Sequence, residues 1–177
     1  QMARMFLEFA RLEYEVVAFT VDRSVLTDPF IEGLPVIPFD DIETDYPPAN
    51  HCLIIAVGYR EMNDLRVRKY REGLAKGYAF ASYVHASVVR HASVSVGENT
   101  IILDHAAIHP YTQIGNSVFI ASNASIGHGC RIGDACWINS GVAIGGETVI
   151  GDACFLGINA TLGDNIRIGR QCFVGAN

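Results

Sequence analysis

Long apolar runs, basic charge and paired cysteines are what this sequence does without. No stretch of 18 residues is free of charges and turn formers, so no membrane-spanning helix is expected. No basic segment followed by an apolar run and a small-residue cleavage site opens the chain, and a cytoplasmic location is the expectation. Lysine occurs only at Lys69 and Lys76, and the net charge is −6, which removes the electrostatic footprint of a protein that binds nucleic acid or an anionic membrane. The five cysteines form no Cys-x-x-Cys pair and no cysteine–histidine metal spacing. They read as structural thiols of a reducing compartment. Disorder is excluded as well, because half of the residues are apolar and can build a core.

Proline becomes scarce after Pro48, with Pro110 alone beyond it, whereas 13 of the 17 glycines follow residue 84. A composition break of this kind calls for a search for repeats. Steps of six from Val84 to Val174 meet an aliphatic residue at fifteen of sixteen positions, the exception being Arg90. Glycine often follows directly, as at Gly115, Gly127, Gly133, Gly145, Gly151 and Gly157. A small or β-branched residue stands four places on, as at Ala106, Thr112, Val118, Cys130, Cys136 and Cys154. Strand side chains alternate, so each hexapeptide supplies two inward groups and then a corner, for which glycine offers positive φ. Three such units make one coil of a parallel β-helix, with residues 18 apart stacked.

This register assigns Cys130, Cys136, Cys154 and Cys172 to the interior as compact hydrophobes. It also aligns Phe119, Trp137, Phe155 and Phe173 in one outward column. Four exposed aromatics are too apolar to leave in water. Because no chain follows the coil to cover them, burial between subunits of a symmetric trimer is expected.

The first part reads as a small α/β unit. A helix over Met2–Leu12, strands over Tyr14–Val21, Leu34–Pro38 and Cys52–Val57, and a charged amphipathic helix over Arg60–Lys76 predict a parallel sheet. It reads as incomplete, because the chain starts at Gln1 directly in a helix, without the strand and glycine loop that should precede it. Ligands of such sheets bind at strand C-terminal ends, where Asp22 and the Gly58-Tyr59-Arg60 turn lie. The resulting fold class is mainly β: a left-handed parallel β-helix of hexapeptide repeats over residues 83–177, preceded by a small, incomplete Rossmann-like α/β domain over residues 1–82.

A small α/β domain, the junction Ser82-Tyr83-Val84-His85-Ala86-Ser87, unbroken hexapeptides, and the segments Ile126-Gly127-His128-Gly129-Cys130 and Cys154-Phe155-Leu156-Gly157-Ile158-Asn159 together resemble the bacterial sugar acetyltransferases. These include the nucleotide-linked amino-sugar N-acetyltransferases of bacillosamine and perosamine pathways and the related sialic acid O-acetyltransferases. The resemblance covers nearly the whole chain. It implies a homotrimer formed through the β-helix, acetyl-CoA as co-substrate in the groove between neighbouring coils, and a nucleotide-linked sugar held by the first domain. It also implies a place in surface polysaccharide biosynthesis. A histidine matching His128 is the general base in those enzymes. Imidazole suits the role, since a base that titrates near the working pH transfers protons most effectively.

The register independently places His128 at a corner, beneath Gly146 and then Asp164. A bare Gly145-Gly146 corner is expected to pass a pantetheine arm and to offer a backbone N–H to the thioester carbonyl. Amino-sugar N-acetyltransferases carry an acid directly after the histidine; here that place is Gly129, and Glu147, one coil above it, is the substitute carboxylate. Trp137 stands where some relatives place a polar residue near the cofactor, and Ile158 and Ala176 match positions whose backbone contacts it. Asp22 and Gly58 are the expected contacts to the sugar nucleotide.

Three other readings follow from the same residues. The first is transfer to a sugar hydroxyl in place of an amine. The second is a non-catalytic hexapeptide assembly module, raised by the missing acid. The third is a zinc protein resembling the γ-class carbonic anhydrases, since His105 and His109 lie one coil below the His128 level. The γ-class spacing is five residues and the spacing here is four, and zinc needs three convergent ligands.

Overall fold

In the computed structural model, which describes residues 2–177, the chain from Tyr83 onward winds into a three-faced parallel coil. Gln1, the first residue of the expected incomplete domain, lies outside the described residues. The coil contains sixteen two-residue strands, from Tyr83–Val84 to Phe173–Val174. Each strand pairs in parallel with the one a full coil away, as in Phe119↔Trp137, Ser125↔Ala143 and Gln113↔Arg131. The 18-residue register holds throughout.

The three stacks have different outward residues. The aromatic face carries Tyr83, Ile101, Phe119, Trp137, Phe155 and Phe173. A small-residue face carries Val89, Ala107, Ser125, Ala143 and Thr161. A polar face carries Ser95, Gln113, Arg131, Val149 and Arg167. Inside, Ile102, Ile120, Ile126, Ile138 and Leu156 are wholly buried with Ala106, Val118, Cys130 and Cys154 between them.

The polar members of the core have a systematic partner. Thr100, Thr112 and Thr148 donate their hydroxyls to the carbonyls of Gly115, Gly127 and Gly163, at 2.9, 2.7 and 2.9 Å. Cys130, Cys136 and Cys154 make the same contact to Gly145, Gly151 and Gly169, at 3.2, 3.2 and 2.9 Å. A thiol therefore fills a threonine's place, and a buried carbonyl that no strand serves is satisfied.

The corner glycines work differently from the expectation. Positive φ falls three residues after the inward aliphatic, at Asn99, His105, Tyr111, Ser117, Asn123, Gly129, Ala135, Gly141, Glu147 and Ala153. The glycines themselves are required by close approach: a methyl on Gly97, Gly115, Gly127, Gly133, Gly145, Gly151 or Gly157 would lie between 2.5 and 2.9 Å from backbone of the next coil. Contacts that short do not occur between packed atoms, so only hydrogen fits.

The N-terminal part departs from a single parallel sheet. Helix α1 (Met2–Ala10) is followed by β1 (Phe19–Val21), β2 (Phe30–Ile31) and β3 (Leu34–Pro38), with β1 parallel and β2 antiparallel to β3. After the short helix α2 (Ile42–Asp45), β4 (Cys52–Leu53) pairs in parallel with β5 (Ala79–Phe80) as a separate sheet, across α3 (Asp64–Ala75). The Tyr14–Val21 and Cys52–Val57 strands are thus shorter than predicted, and among the described residues no continuous Rossmann-like sheet forms.

The covering of the aromatic column is a second correction. Phe119, Trp137 and Phe155 are 3, 4 and 8% exposed within one chain, while Phe173 is 61% exposed. Phe6 stacks on Phe119 at 5.8 Å and Phe9 on Tyr83 at 5.6 Å, with Met2, Met5, Ile54 and Ala56 closing the cluster. The apolar side of α1 answers the column, so a segment preceding the coil does what subunit contact was expected to do.

Candidate functional site

His128 follows the strand Ser125–Ile126 and precedes Arg131–Ile132, at the corner between the small-residue and polar faces. The side chain is exposed, and no hydrogen bond to its ring occurs among the described residues. Its ring lies across Gly146: a methyl there would stand 2.5 Å from Cε1 and 2.8 Å from Nδ1. Backbone fixes the same level, because the His128 carbonyl accepts the Glu147 N–H at 2.7 Å and Gly129 donates to the Pro110 carbonyl at 2.9 Å.

Two expectations for this corner change. Gly146 is buried against the imidazole, and its N–H donates to Asp164 Oδ1 at 2.6 Å. That N–H is therefore not the open donor foreseen for a thioester carbonyl, and the space against the Gly146 Cα belongs to His128. Glu147 is exposed at a φ of +56°, its Cγ beside Gly129, and among the described residues no hydrogen bond or ion pair joins its carboxylate to the His128 ring.

The other positions scatter. Trp137 is buried on the aromatic face with Arg66 Cζ 5.7 Å above its ring and Tyr59 against its edge, a core position instead of a cofactor groove. Ile158 and Ala176 are stacked at the upper coil edge, exposed, with the Ile158 carbonyl accepting the Asn177 N–H at 3.0 Å. Asp22, at the C-terminal end of β1, pairs with Lys69 on the rim of a cavity of about 390 Å³ lined also by Phe39, Asp40, Arg68, Glu72 and Lys76. Lys69 is held further by Glu72 at 2.6 Å, and these hydrogen bonds raise its pKa against the lowering by burial. Gly58 lies outside that cavity, near Met2.

Among the described residues no three histidines, cysteines or carboxylates converge on a metal position. Coupling to Cys154 and burial push the Cys136 thiol up, and both sulfurs are buried in the coil, donating to the Gly151 and Gly169 carbonyls. Among those residues no helix is long and apolar enough to cross a membrane.

Sequence reasoning missed Arg66, Asn63 and Asn99, three buried polar residues that tie the N-terminal part to the coil. Arg66 lay in a helix read as charged and amphipathic, and nothing in its spacing distinguishes it from Arg68 or Arg71.

Residues 96–177 match the family profile of the GMPPB C-terminal domain. No curated protein matches the sequence. Among solved structures, the chain is similar to perosamine N-acetyltransferase from Caulobacter crescentus, solved as a histidine-to-asparagine variant with CoA and GDP-perosamine; the identity is 28% over 99% of this chain and 81% of that one, with a TM-score of 0.86. The acetyltransferase domain of PglB from Neisseria gonorrhoeae FA1090 shares the fold at 22% identity over 99% of this chain and 84% of that one, with a TM-score of 0.85. WeeI from Acinetobacter baumannii AYE does so at 17% identity over 100% of this chain and 90% of that one, with a TM-score of 0.62. Over almost its whole length the chain resembles bacterial sugar acetyltransferases of the left-handed β-helix type.

Proposed function

We propose that this protein transfers an acetyl group from acetyl-CoA to the amine of a nucleotide-linked amino sugar, with His128 as general base. The observation that carries the reading is an exposed imidazole, without a hydrogen-bond partner among the described residues, held across Gly146 at a β-helix corner. It is joined by the likeness to an enzyme solved with CoA and GDP-perosamine. The amine lone pair attacks the thioester carbonyl, His128 takes the proton that the nitrogen loses, and the collapsing adduct expels the CoA sulfur, leaving an amide and CoA. Because the Gly146 N–H is engaged, another donor must meet the charge that develops on the carbonyl oxygen.

The acceptor is assigned to the N-terminal part, residues 1–82, with the Asp22 cavity and the Gly58 loop as its contacts; the catalytic coil spans residues 83–177. This division favours a second copy. The N-terminal part covers the aromatic face, whereas His128 stands at the corner opposite that face. A base must come within about 3 Å of the proton it removes. A homotrimer with neighbouring coils side by side would bring the acceptor held by one copy to the base of the next. Ile158 and Ala176, exposed on the coil edge, are the backbone candidates for acetyl-CoA, and Glu147 is the candidate substitute carboxylate for His128. An intracellular acetyl-CoA supply fits a cytoplasmic enzyme acting on sugar nucleotides for surface polysaccharide.

The test is acetyl transfer to a panel of nucleotide-linked amino sugars that includes GDP-perosamine, with sedimentation to give the assembly state. Failure to bind acetyl-CoA overturns the reading.

A further inference from the structure

Between β4 and α3 the chain leaves its sheet, and side chains take over the bonding of its backbone. Ile55 N–H donates to Asn99 Oδ1 at 2.9 Å, and Asn99 Nδ2 donates to Ser117 Oγ at 2.7 Å. The carbonyls of Ile55 and Val57 accept from Arg66 Nη1 at 3.2 and 2.7 Å. The other edge of the same guanidinium, Nε and Nη2, donates to the Ser117 carbonyl of the coil at 3.2 and 2.9 Å. One planar group thus bridges the loop and the coil, a task for which its forked donors are suited.

Arg66 is fully buried, and among the described residues no carboxylate pairs with it. Burial lowers its pKa to about 10, so it is charged at neutral pH, facing only carbonyls and the Trp137 ring. A buried cation of this kind costs more than an apolar side chain of equal volume.

The far end of the loop is clamped as well. Glu61, Met62 and Asn63 are three consecutive non-glycine residues at φ of +53, +50 and +65°. Left-handed residues of this type are unfavourable and persist only where their surroundings hold them. Asn63 is buried and its Nδ2 donates to the carbonyls of Ala153 and Cys154, at 3.3 and 3.1 Å. Tyr59, half exposed, rests 4.6 Å from Phe155 and 5.8 Å from Trp137. Gly58 and Tyr59 are therefore carried on a loop fixed to the coil at both ends.

We propose that Arg66 is a positioning residue for the acceptor: by bridging Ile55 and Val57 to Ser117 it sets where the Gly58-Tyr59 tip stands relative to the coil, and hence to the His128 corner of the neighbouring copy. This rests on the proposed function, in which acceptor and base come from different copies. The linkage runs from one coil through Arg66 to the acceptor, and does not pass through the groove between coils assigned to acetyl-CoA. Loss of the guanidinium therefore changes one substrate and spares the other.

The experiment compares wild type, Arg66→Met and Arg66→Lys in steady-state transfer from acetyl-CoA to the best acceptor of the nucleotide amino-sugar panel. Amide hydrogen exchange of residues 54–60 is measured without substrate. Arg66→Met is expected to raise the acceptor KM and lower kcat tenfold or more each while the acetyl-CoA KM stays within twofold, and to lower protection of residues 54–60 at least tenfold with coil amides unchanged. Arg66→Lys restores less than half of the loss, since an ammonium cannot serve both sets of carbonyls. Equal changes in both KM values, or unchanged exchange in residues 54–60, overturn the proposal. If Arg66→Met does not fold, Asn99→Ala, which removes the Ile55 amide's partner and the bond to Ser117 Oγ while leaving the guanidinium in place, gives the same split at threefold or more, and absence of that split overturns it. Wild type inactive on every acceptor defeats the proposed function instead, while the exchange comparison still decides whether Arg66 sets the loop.

Discussion

The imidazole of His128 lies across the Cα of Gly146, one coil above it, so closely that a methyl on Gly146 would stand 2.5 Å from Cε1. The nearest atoms that such a methyl meets all belong to the ring, a side chain that can turn aside, so Gly146→Ala should fold and displace the histidine. A shift of about 1 Å in a reacting group costs roughly 100-fold in rate. The expected outcome is a fall in kcat of that order, with acetyl-CoA affinity and melting temperature near those of wild type. An unchanged kcat would show that the ring position has no bearing on transfer.

Removing the base outright tests its role by another route. His128→Ala and His128→Asn should each lower kcat by about 10² to 10⁴-fold, the usual worth of a positioned proton acceptor. Neither variant should weaken acetyl-CoA binding, because the ring takes the proton from the acceptor and does not hold the donor. Titration calorimetry with acetyl-CoA, beside the transfer assay, separates these effects.

Close approach and positive φ make different demands on glycine, and two neighbouring positions distinguish them. Gly133 has no positive φ, but a methyl there would lie 2.7 Å from the Asp152 nitrogen and 2.8 Å from the Gly151 carbonyl carbon. Gly129 has a φ of +64° and space, with the nearest atom, Glu147 Cγ, at 3.5 Å. Gly133→Ala should destabilise the coil by about 3 kcal/mol, since rigid backbone must move. Gly129→Ala should cost only about 1 kcal/mol, the ordinary penalty of a left-handed residue. For a chain of this size these figures correspond to melting temperatures lower by roughly 9 and 3 °C. The reverse order would return the corner glycines to a conformational role.

The coil was legible because its information is local and periodic: Ile120, Ile138 and Leu156 announce their stacking through spacing alone. The same arithmetic found the Phe119–Phe173 column but not its cover, since α1 shows only helical spacing and nothing in it names the face it meets. The His128 corner was placed correctly, yet the fate of Gly146 was not, because a side chain's lean over a neighbouring coil is a property of packing. Arg66 was invisible for a related reason. Its partners are carbonyls of Ile55, Val57 and Ser117, and a carbonyl carries no residue identity.

The covered column yields a test that separates intrachain packing from subunit contact. Trp137 is buried within one chain by Tyr59, Phe119 and Arg66, so Trp137→Ala should remove a large part of the cluster that joins α1 to the coil. Truncating a buried tryptophan costs about 3 to 5 kcal/mol. Were the column a subunit interface, the loss would appear as dissociation, with a melting temperature that depends on protein concentration. Packing under α1 predicts the other pattern: a melting temperature lower by about 10 °C at every concentration, and a sedimentation coefficient equal to that of wild type at 20 °C. Arg66 loses the ring beneath it in the same variant, so exchange in residues 54–60 should rise along with the loss of stability.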